Sequence, residues 1–135
     1  MLPPMALTKL GTGYSLGDQE IDEQHHELFE MTDRISAAVA SRSLNVAEEL
    51  AALMLYASEH FYSEEALMAR IAYPDLLTHR MAHRAFTRQL MRFTDQIHGA
   101  CPPDWNFFGD FAITWMRTHV LTGNMDIRRY LLEMR

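Results

Sequence analysis

The chain has 135 residues, of which 48% are hydrophobic and 22% are charged. This length suits one packed domain and is too short for two of ordinary size. Its 12 basic and 18 acidic residues give a formal net charge of −6, so the basic surface that neutralises nucleic-acid phosphates is not expected. The single cysteine, Cys101, excludes an internal disulfide and a cysteine-rich metal site.

The apolar runs and the first residues of the chain indicate where in the cell the protein is expected. No apolar run approaches the roughly 20 residues that cross a bilayer, and the first ten residues lack the order of a secretory signal. We therefore expect a cytoplasmic protein with neither a membrane partner nor a nucleic-acid partner. Residues 1–17 contain three glycines and two prolines and are predicted to form an irregular arm, while residues 18–135 are predicted to form the single domain.

Within this domain, apolar residues recur three, four and seven positions apart, as expected for amphipathic helices. We predict helices over residues 18–40, 45–71, 75–99 and 104–121, and a short terminal helix over 126–134. Asn45 and Glu48 resemble a capping box at the start of the second helix, and the Thr122-Gly123-Asn124 run is predicted to end the fourth. Amphipathic helices joined by short loops pack most simply as an antiparallel up-down-up-down four-helix bundle, so the predicted class is all-α.

Five histidines and one glutamate fall on the inner faces of these helices. Residues four apart lie on one face of a helix, so such a pair can hold a metal ion. One isolated buried histidine would equally suit a hydrogen-bonded core residue, but five at one depth would be costly without a common partner. We therefore predict a metal site built from nitrogen and oxygen. Its residues are His25, His60, Glu64, His79, His83 and His119.

The segments that carry these residues resemble the successive signatures of the hemerythrins, most closely of the bacterial hemerythrin-like proteins. The resemblance covers about residues 14–124. It implies a four-helix bundle that holds two non-heme iron ions and reversibly binds dioxygen or another small diatomic ligand. The segments are Ile21-Asp22-Glu23-Gln24-His25, His60-Phe61 with Glu64-Glu65 and Met68, Tyr73-Pro74 with His79 and His83, and Trp115 with His119.

The resemblance also implies how the ligands divide between the two irons, with Glu64 bridging them. One set is His79, His83 and His119, and the other is His25 and His60. Imidazole suits iron, and a site poor in carboxylates favours binding and release of oxygen over the oxidative chemistry of carboxylate-rich di-iron enzymes.

Residues near the predicted ligands have less certain roles. Trp115, Met116 and Val120 flank His119 and are predicted to line an apolar ligand pocket, although each taken singly suits ordinary core packing equally well. Glu65 points about 100° away from Glu64 around the helix, so it is predicted to support the site or to face solvent.

One position departs from the family pattern. The family has an aspartate five residues after the last histidine as a second bridging carboxylate, and this chain has Asn124 there. An amide oxygen is neutral and a weak ligand, so Asn124, Asp126 and water all stay open as the seventh ligand. On an unbroken helix the Cα of Asp126 would lie about 10 Å along the axis from that of His119, at the limit of what both side chains can span.

Three functions are consistent with the sequence. The leading prediction is a non-enzymatic oxygen-binding protein that acts in storage, delivery or sensing. An altered ligand set could instead support a di-iron enzyme that reduces peroxide or nitric oxide. The same side chains could also hold zinc or a single iron in a regulatory metal-binding module.

Overall fold

A computed structural model describes residues 18–41, 45–99 and 104–134. This part of the chain contains four α-helices and no β-strand, which confirms the predicted all-α class. None of the described helices combines the length and the apolar character needed to cross a membrane. The arm predicted over residues 1–17 lies outside the described residues. The helices are α1 (Gln19–Ala40), α2 (Val46–Arg70), α3 (Leu76–His98) and α4 (Trp105–Glu133).

Aspartate side chains cap the start of two helices. The Ile21 amide donates a hydrogen bond to the Asp18 carboxylate at 3.0 Å, and the Phe107 amide donates to Asp104 at 3.0 Å. Each bond satisfies an amide that has no partner inside its own helix. Asn45 stands at the N-cap of α2, but its side chain makes no capping hydrogen bond, so the predicted capping box is not formed.

The last helix is longer than predicted. α4 is continuous over 29 residues, so the break predicted at residues 122–124 is wrong. The segment predicted as a terminal helix is helical, but it is the last part of α4. Gly123 is buried inside this helix. Packing against the bundle therefore outweighs the roughly 1 kcal/mol by which a helical glycine is less favourable than alanine.

The four helices close into an antiparallel bundle. α1 packs against α2 and α4, and α3 completes the ring between α2 and α4. The early part of α1 lies beside the late part of α2 at His25 and Glu64, and Glu64 also meets His83 in the early part of α3. The pairing of α3 with α4 is the loosest of the four.

The buried side chains form two apolar clusters separated by a polar layer. The larger cluster includes Leu28 and the smaller one includes Ile21. His25 lies between these two residues along α1 and is itself fully buried. The same order recurs on α2, where Glu64 lies between Phe61 of the larger cluster and Leu67 of the smaller one. The bundle therefore positions a layer of polar groups across its apolar interior.

Candidate metal centre

Glu64 lies at the centre of this polar layer and is only 2% exposed. Its two carboxylate oxygens face different imidazoles. Oε2 lies 2.9 Å from His25 Nε2 and 3.0 Å from His60 Nε2. Oε1 lies 3.1 Å from His83 Nε2 and 3.2 Å from His119 Nε2. The Glu64 carboxylate therefore contacts one imidazole from each of the four helices, including α2, to which Glu64 itself belongs.

The atoms able to ligate a metal form two groups that share Glu64. Within each group these atoms lie within 4.8 Å of one another, so one ion could contact them all. The two-histidine group is His25, His60 and Glu64, and the three-histidine group is Glu64, His79, His83 and His119. The structure thus brings together the five histidines and the glutamate that the spacing singled out.

Gln24 orients the ring of His60. Its Oε1 lies 2.9 Å from His60 Nδ1, while its amide nitrogen faces Ser63 Oγ at 3.4 Å. The amide oxygen accepts the Nδ1 proton, so in a neutral ring Nε2 carries a lone pair. That Nε2 is buried without a hydrogen-bond partner, although Glu64 Oε2 is 3.0 Å away. A buried lone pair beside a carboxylate oxygen is unfavourable unless a cation lies between them.

Glu65 orients His83 in a similar way. Its Oε2 lies 2.9 Å from His83 Nδ1, and its Oε1 accepts a hydrogen bond from Arg80 Nε at 2.9 Å. Partial burial acts to raise the pKa of Glu65, but hydrogen bonds to His83 and Arg80 outweigh burial and lower it. The ionised carboxylate can only accept, so His83 Nδ1 donates, and in a neutral ring the Nε2 atom carries a lone pair that faces Glu64. Of the two predicted roles of Glu65, the supporting one fits this contact.

Aromatic rings hold the imidazoles of the three-histidine group. Phe61 stacks on His83 with a centroid distance of 4.0 Å and an interplanar angle of 6°. Trp115 stacks on His119 at 4.5 Å and 13°. These stacks fix the ring planes and cover their faces with apolar surface.

Burial sets the protonation of the layer. It lowers the pKa of His60 to about 4, and it also lowers the pKa values of His119 and His79, in each case against the opposing effect of Glu64. Burial alone would raise the pKa of Glu64, but contacts with the four surrounding imidazoles hold it well below its usual range. Neutral imidazoles around an ionised carboxylate are the forms that bind metal.

This donor set fits a metal ion in each group. In neutral rings oriented by Gln24 and Glu65, the Nε2 lone pairs of His60 and His83 face the Glu64 carboxylate. A cation at each carboxylate oxygen would turn these unfavourable contacts into coordination bonds. Because the two oxygens of Glu64 serve different groups, the same residue could contact both ions.

A cavity of about 240 Å³ lies between α3 and α4 beside the three-histidine group. Of the three residues predicted to line a ligand pocket, Trp115 lines this cavity. Met116 and Val120 are instead fully buried in the larger apolar cluster. The lining consists of Thr78, His79, Ala82, Trp115, Thr118, His119, Thr122, Gly123 and Asp126.

Comparison with known proteins identifies the family. The family model for the hemerythrin HHE cation binding domain matches residues 16–130, which is most of the chain. The chain belongs to the hemerythrin family. This membership agrees with a His/Glu cluster inside a helical bundle and supports a metal-binding role.

Three relatives illustrate the similarity. The chain is 27% identical to a bacteriohemerythrin of Clostridium acetobutylicum, over 80% of this chain and 88% of that protein. It is 29% identical to a bacteriohemerythrin of Stenotrophomonas maltophilia, over 66% of this chain and 59% of that protein. It is 31% identical to a hemerythrin-like protein of Naegleria fowleri, over 59% of this chain and 63% of that protein. The last two alignments span less than two thirds of the relative.

Among the described side chains, neither group contains a second carboxylate beside Glu64. The side chain of Asn124 lies outside the described residues. Asp126 lines the cavity, and its Oδ1 lies 3.8 Å from Arg129 Nη1. Because α4 is unbroken, the Cα of Asp126 lies about 10 Å along the axis from that of His119. Asp126 is therefore beside the three-histidine group rather than part of it.

Two further residues shape this hemerythrin-type site without any signal in the ligand spacing. Gln24 orients His60 from another helix. A Cβ atom built on Gly123 would lie 3.0 Å from His79 Cε1, so glycine gives the His79 ring its room. Both effects depend on contacts between helices. Gln24 adjoins a predicted ligand and stands in the Ile21-to-His25 segment that resembles the family, but neither feature indicates that it orients His60.

Proposed function

We propose that this hemerythrin-family chain holds two non-heme iron ions and reversibly binds dioxygen. The position of Glu64 is the observation that carries the proposal. Each of its oxygens faces a separate group of imidazoles, as a carboxylate that bridges two ions must. The family model, which describes a cation-binding domain, and the bacteriohemerythrin relatives add support.

The ligand roles follow from the two groups. The three-histidine group would hold one iron, His25 and His60 would hold the other, and Glu64 would contact both. When bound, a pair of ferrous ions supplies the electrons that dioxygen accepts on binding and returns on release. Gln24 and Glu65 hold His60 and His83 in the tautomers that leave Nε2 free for the metal.

The surroundings favour binding over turnover. His25, His60 and Glu64 are at most 2% exposed, and apolar clusters cover the layer on both sides. Such packing excludes water and limits proton delivery, which disfavours conversion of oxygen into reduced products. Five imidazole ligands with one carboxylate also stabilise high oxidation states less than a carboxylate-rich set does.

The direct test is to purify the protein anaerobically, count iron per chain and record visible spectra before oxygen is admitted, after it is admitted and after it is removed. Two irons with a spectrum that appears and then reverses are the expected result. Irreversible conversion to a ferric form, or consumption of peroxide or nitric oxide, would contradict reversible oxygen binding and favour the di-iron enzyme instead. A colourless zinc-loaded protein would favour the regulatory module.

Variants in each group test the ligand assignment. We expect His60→Ala and His79→Ala each to abolish the two-iron centre while circular dichroism still reports a helical protein. His26→Ala is the control, because His26 is exposed and lies 3.3 Å from Glu30 on the surface of α1. Two irons retained in His60→Ala or His79→Ala would contradict the assignment.

The departure at residue 124 has its own test. Asn124→Asp restores the carboxylate of the family pattern, so we expect iron to be lost more slowly to a chelator. No gain in Asn124→Asp, together with iron loss in Asp126→Ala, would instead identify Asp126 as the missing ligand.

A further inference from the structure

The charge of α3 differs from that of the rest of the molecule. This helix contains four arginines and one acidic residue, Asp95, whereas α1 contains six acidic residues and one arginine. The chain as a whole has a formal net charge of −6. α3 is therefore the basic side of an acidic protein.

Three of the four arginines on α3 have no acidic partner. Arg80 donates a hydrogen bond to Glu65 at 2.9 Å. Arg84, Arg88 and Arg92 follow at four-residue steps and are exposed, and none of the described carboxylates forms an ion pair with them. All 18 acidic residues of the chain lie within the described ranges, so no further carboxylate can pair with this row. Like charges four residues apart repel each other, so the row is unfavourable for the isolated chain.

Exposed apolar side chains lie on the same side of the bundle as these arginines. Tyr62 of α2 is 79% exposed and lines, with Arg84 and Arg88, a groove of about 430 Å³ between α2 and α3. Three apolar residues of α3 that are 52% to 65% exposed lie along the arginine row, at three- and four-residue steps. We name this surface the α2–α3 face, and it consists of Tyr62, Leu77, Met81, Arg84, Arg88 and Met91.

We propose that the α2–α3 face binds an acidic amphipathic helix of a partner protein. Arginine, methionine and tyrosine are enriched in interfaces between proteins, and arginine and tyrosine are frequent among the residues that dominate binding. A guanidinium group binds a carboxylate through two parallel N–H donors. A groove between two helices accepts the apolar side chains of a third helix, while its acidic side chains meet the arginines. The face contains none of the candidate metal ligands, so this inference does not rest on the proposed function.

No part of this chain supplies the complementary surface. Residues 1–17, 42–44 and 100–103 contain no acidic residue. A second copy that paired through the same face would bring Arg84 and Arg88 against their own counterparts. The acidic helix α1 carries none of the large exposed apolar side chains of the described residues, so it would leave Tyr62 without an apolar partner. The complement is therefore expected on a different protein.

A membrane or a nucleic acid fits the face less well. Helices that lie in a membrane interface separate an apolar side from a basic side. Here Arg84 and Arg88 lie between Met81 and Met91 along α3, so burial of both methionines among acyl chains would also bury guanidinium groups. Nucleic-acid phosphates need basic side chains and give the exposed methionines and Leu77 no apolar partner.

A labelled synthetic peptide tests the chemistry of the partner. The probe is an amphipathic helix of leucine and glutamate, roughly 18 residues long because shorter isolated helices are marginal in water. The control peptide carries lysine in place of glutamate. We expect fluorescence anisotropy to show that the acidic peptide binds, that its affinity falls with added salt, and that the lysine peptide does not bind. Failure of the acidic peptide to bind would contradict the proposal.

Variants show where the peptide binds. We expect Arg84→Glu and Arg88→Glu each to weaken binding roughly tenfold, and Tyr62→Ala to weaken it roughly fivefold. Arg70→Glu is the control for charge, because Arg70 is exposed at the end of α2. Phe107→Ala is the control for an exposed aromatic ring, because Phe107 is 55% exposed on α4.

Both controls should bind within about twofold of the parent protein, and circular dichroism shows whether each variant is folded. An equal loss of binding in Arg70→Glu, or unchanged binding in Arg84→Glu and Arg88→Glu, would overturn the assignment of the face.

The same variants test the other occupants. At roughly 0.15 M salt we expect no binding to phosphatidylglycerol vesicles or to duplex DNA, and no self-association by sedimentation velocity that depends on Arg84. Binding to vesicles or DNA that is tighter than peptide binding and is lost in Arg84→Glu would replace the partner protein with a membrane or a nucleic acid. Self-association that is lost in Arg84→Glu would make a second copy of this chain the occupant.

Discussion

The two-histidine and three-histidine groups are built from the same types of side chain, but their surroundings differ. His25 and His60 are buried where α1 packs on α2, and Gln24 of α1 orients His60 across this interface. His79 and His119 lie where α3 meets α4 loosely, beside a cavity that opens to solvent. Packing between helices, rather than ligand type, therefore encloses one side of the layer and leaves the other side beside a cavity.

The largest effect is expected where the two groups meet. Glu64→Gln removes the carboxylate that the two groups share, so both lose their charged ligand and bound iron should fall from the proposed two per chain to nearly none. Glu59→Gln is the control on the same helix, because Glu59 is exposed. Iron counts by plasma mass spectrometry give the result. If one iron stays firmly bound in Glu64→Gln, the two groups are independent of each other.

The next substitution should affect the three-histidine group alone. A Cβ atom at Gly123 would press on the His79 ring, so Gly123→Ala should weaken iron retention by about tenfold, within the range seen for residues that support ligands. Gly109→Ala is the control in the same helix, α4. A Cβ atom at residue 109 would lie an ordinary 3.7 Å from Val39 Cγ1 of α1. Chelator extraction rates measure retention.

Alanine is favoured over glycine in a helix by up to about 1 kcal/mol, so metal-free Gly109→Ala should be at least as stable as the parent protein. In Gly123→Ala the displacement of the His79 ring offsets this gain, so its free energy of unfolding should stay close to that of the parent. Weaker iron retention in a protein that is not destabilised would separate positioning of His79 from general damage. Equal extraction rates in Gly123→Ala and Gly109→Ala would contradict the role assigned to Gly123.

The stability of the metal-free protein should depend on pH in a defined direction. The pKa of His60 is about 4 in the folded chain against an ordinary 6.5, so between these values the unfolded chain binds the proton and the folded chain does not. The free energy of unfolding should therefore fall as the pH drops from about 6.5 to about 4, by roughly 1.4 kcal/mol per pH unit for one such group.

Burial also lowers the pKa values of His79 and His119, and these groups act in the same direction. Urea unfolding at several pH values measures the slope, and imidazole NMR resolves the separate groups. Because His60 is more deeply buried than His79, it should titrate at the lower pH. Equal midpoints near 6.5 would mean that the two sides of the layer are equally solvated.

The smallest effect is expected at the cavity. The carboxylate of Asp126 lines it and is 44% exposed. Asp126→Asn removes a negative charge beside the three-histidine group, so azide should bind the iron-loaded protein a few-fold more tightly, by an amount that shrinks with added salt. Asp110→Asn is the control on a distant, exposed part of α4. Loss of iron in Asp126→Asn would show that Asp126 is a ligand.

Local patterns carried most of the fold prediction. The three-four-seven spacing of apolar residues located the four helices, since that spacing is a property of each segment by itself. Local signals failed where packing outweighed them. Gly123 predicted a break, yet the bundle keeps α4 helical through it. Asn45 and Glu48 matched a capping box that is not formed.

The sequence by itself determined the helical periodicity and the membership of a cation-binding family, because these depend on which residues stand at which spacing and in which order along the chain. It also singled out the six side chains that the structure brings together, although their ligation stays a prediction. Only the tertiary structure decided which imidazoles are sealed, how Gln24 and Glu65 orient His60 and His83, and where a cavity opens. These features depend on contacts between helices, and no spacing within one helix specifies how closely its neighbour will pack.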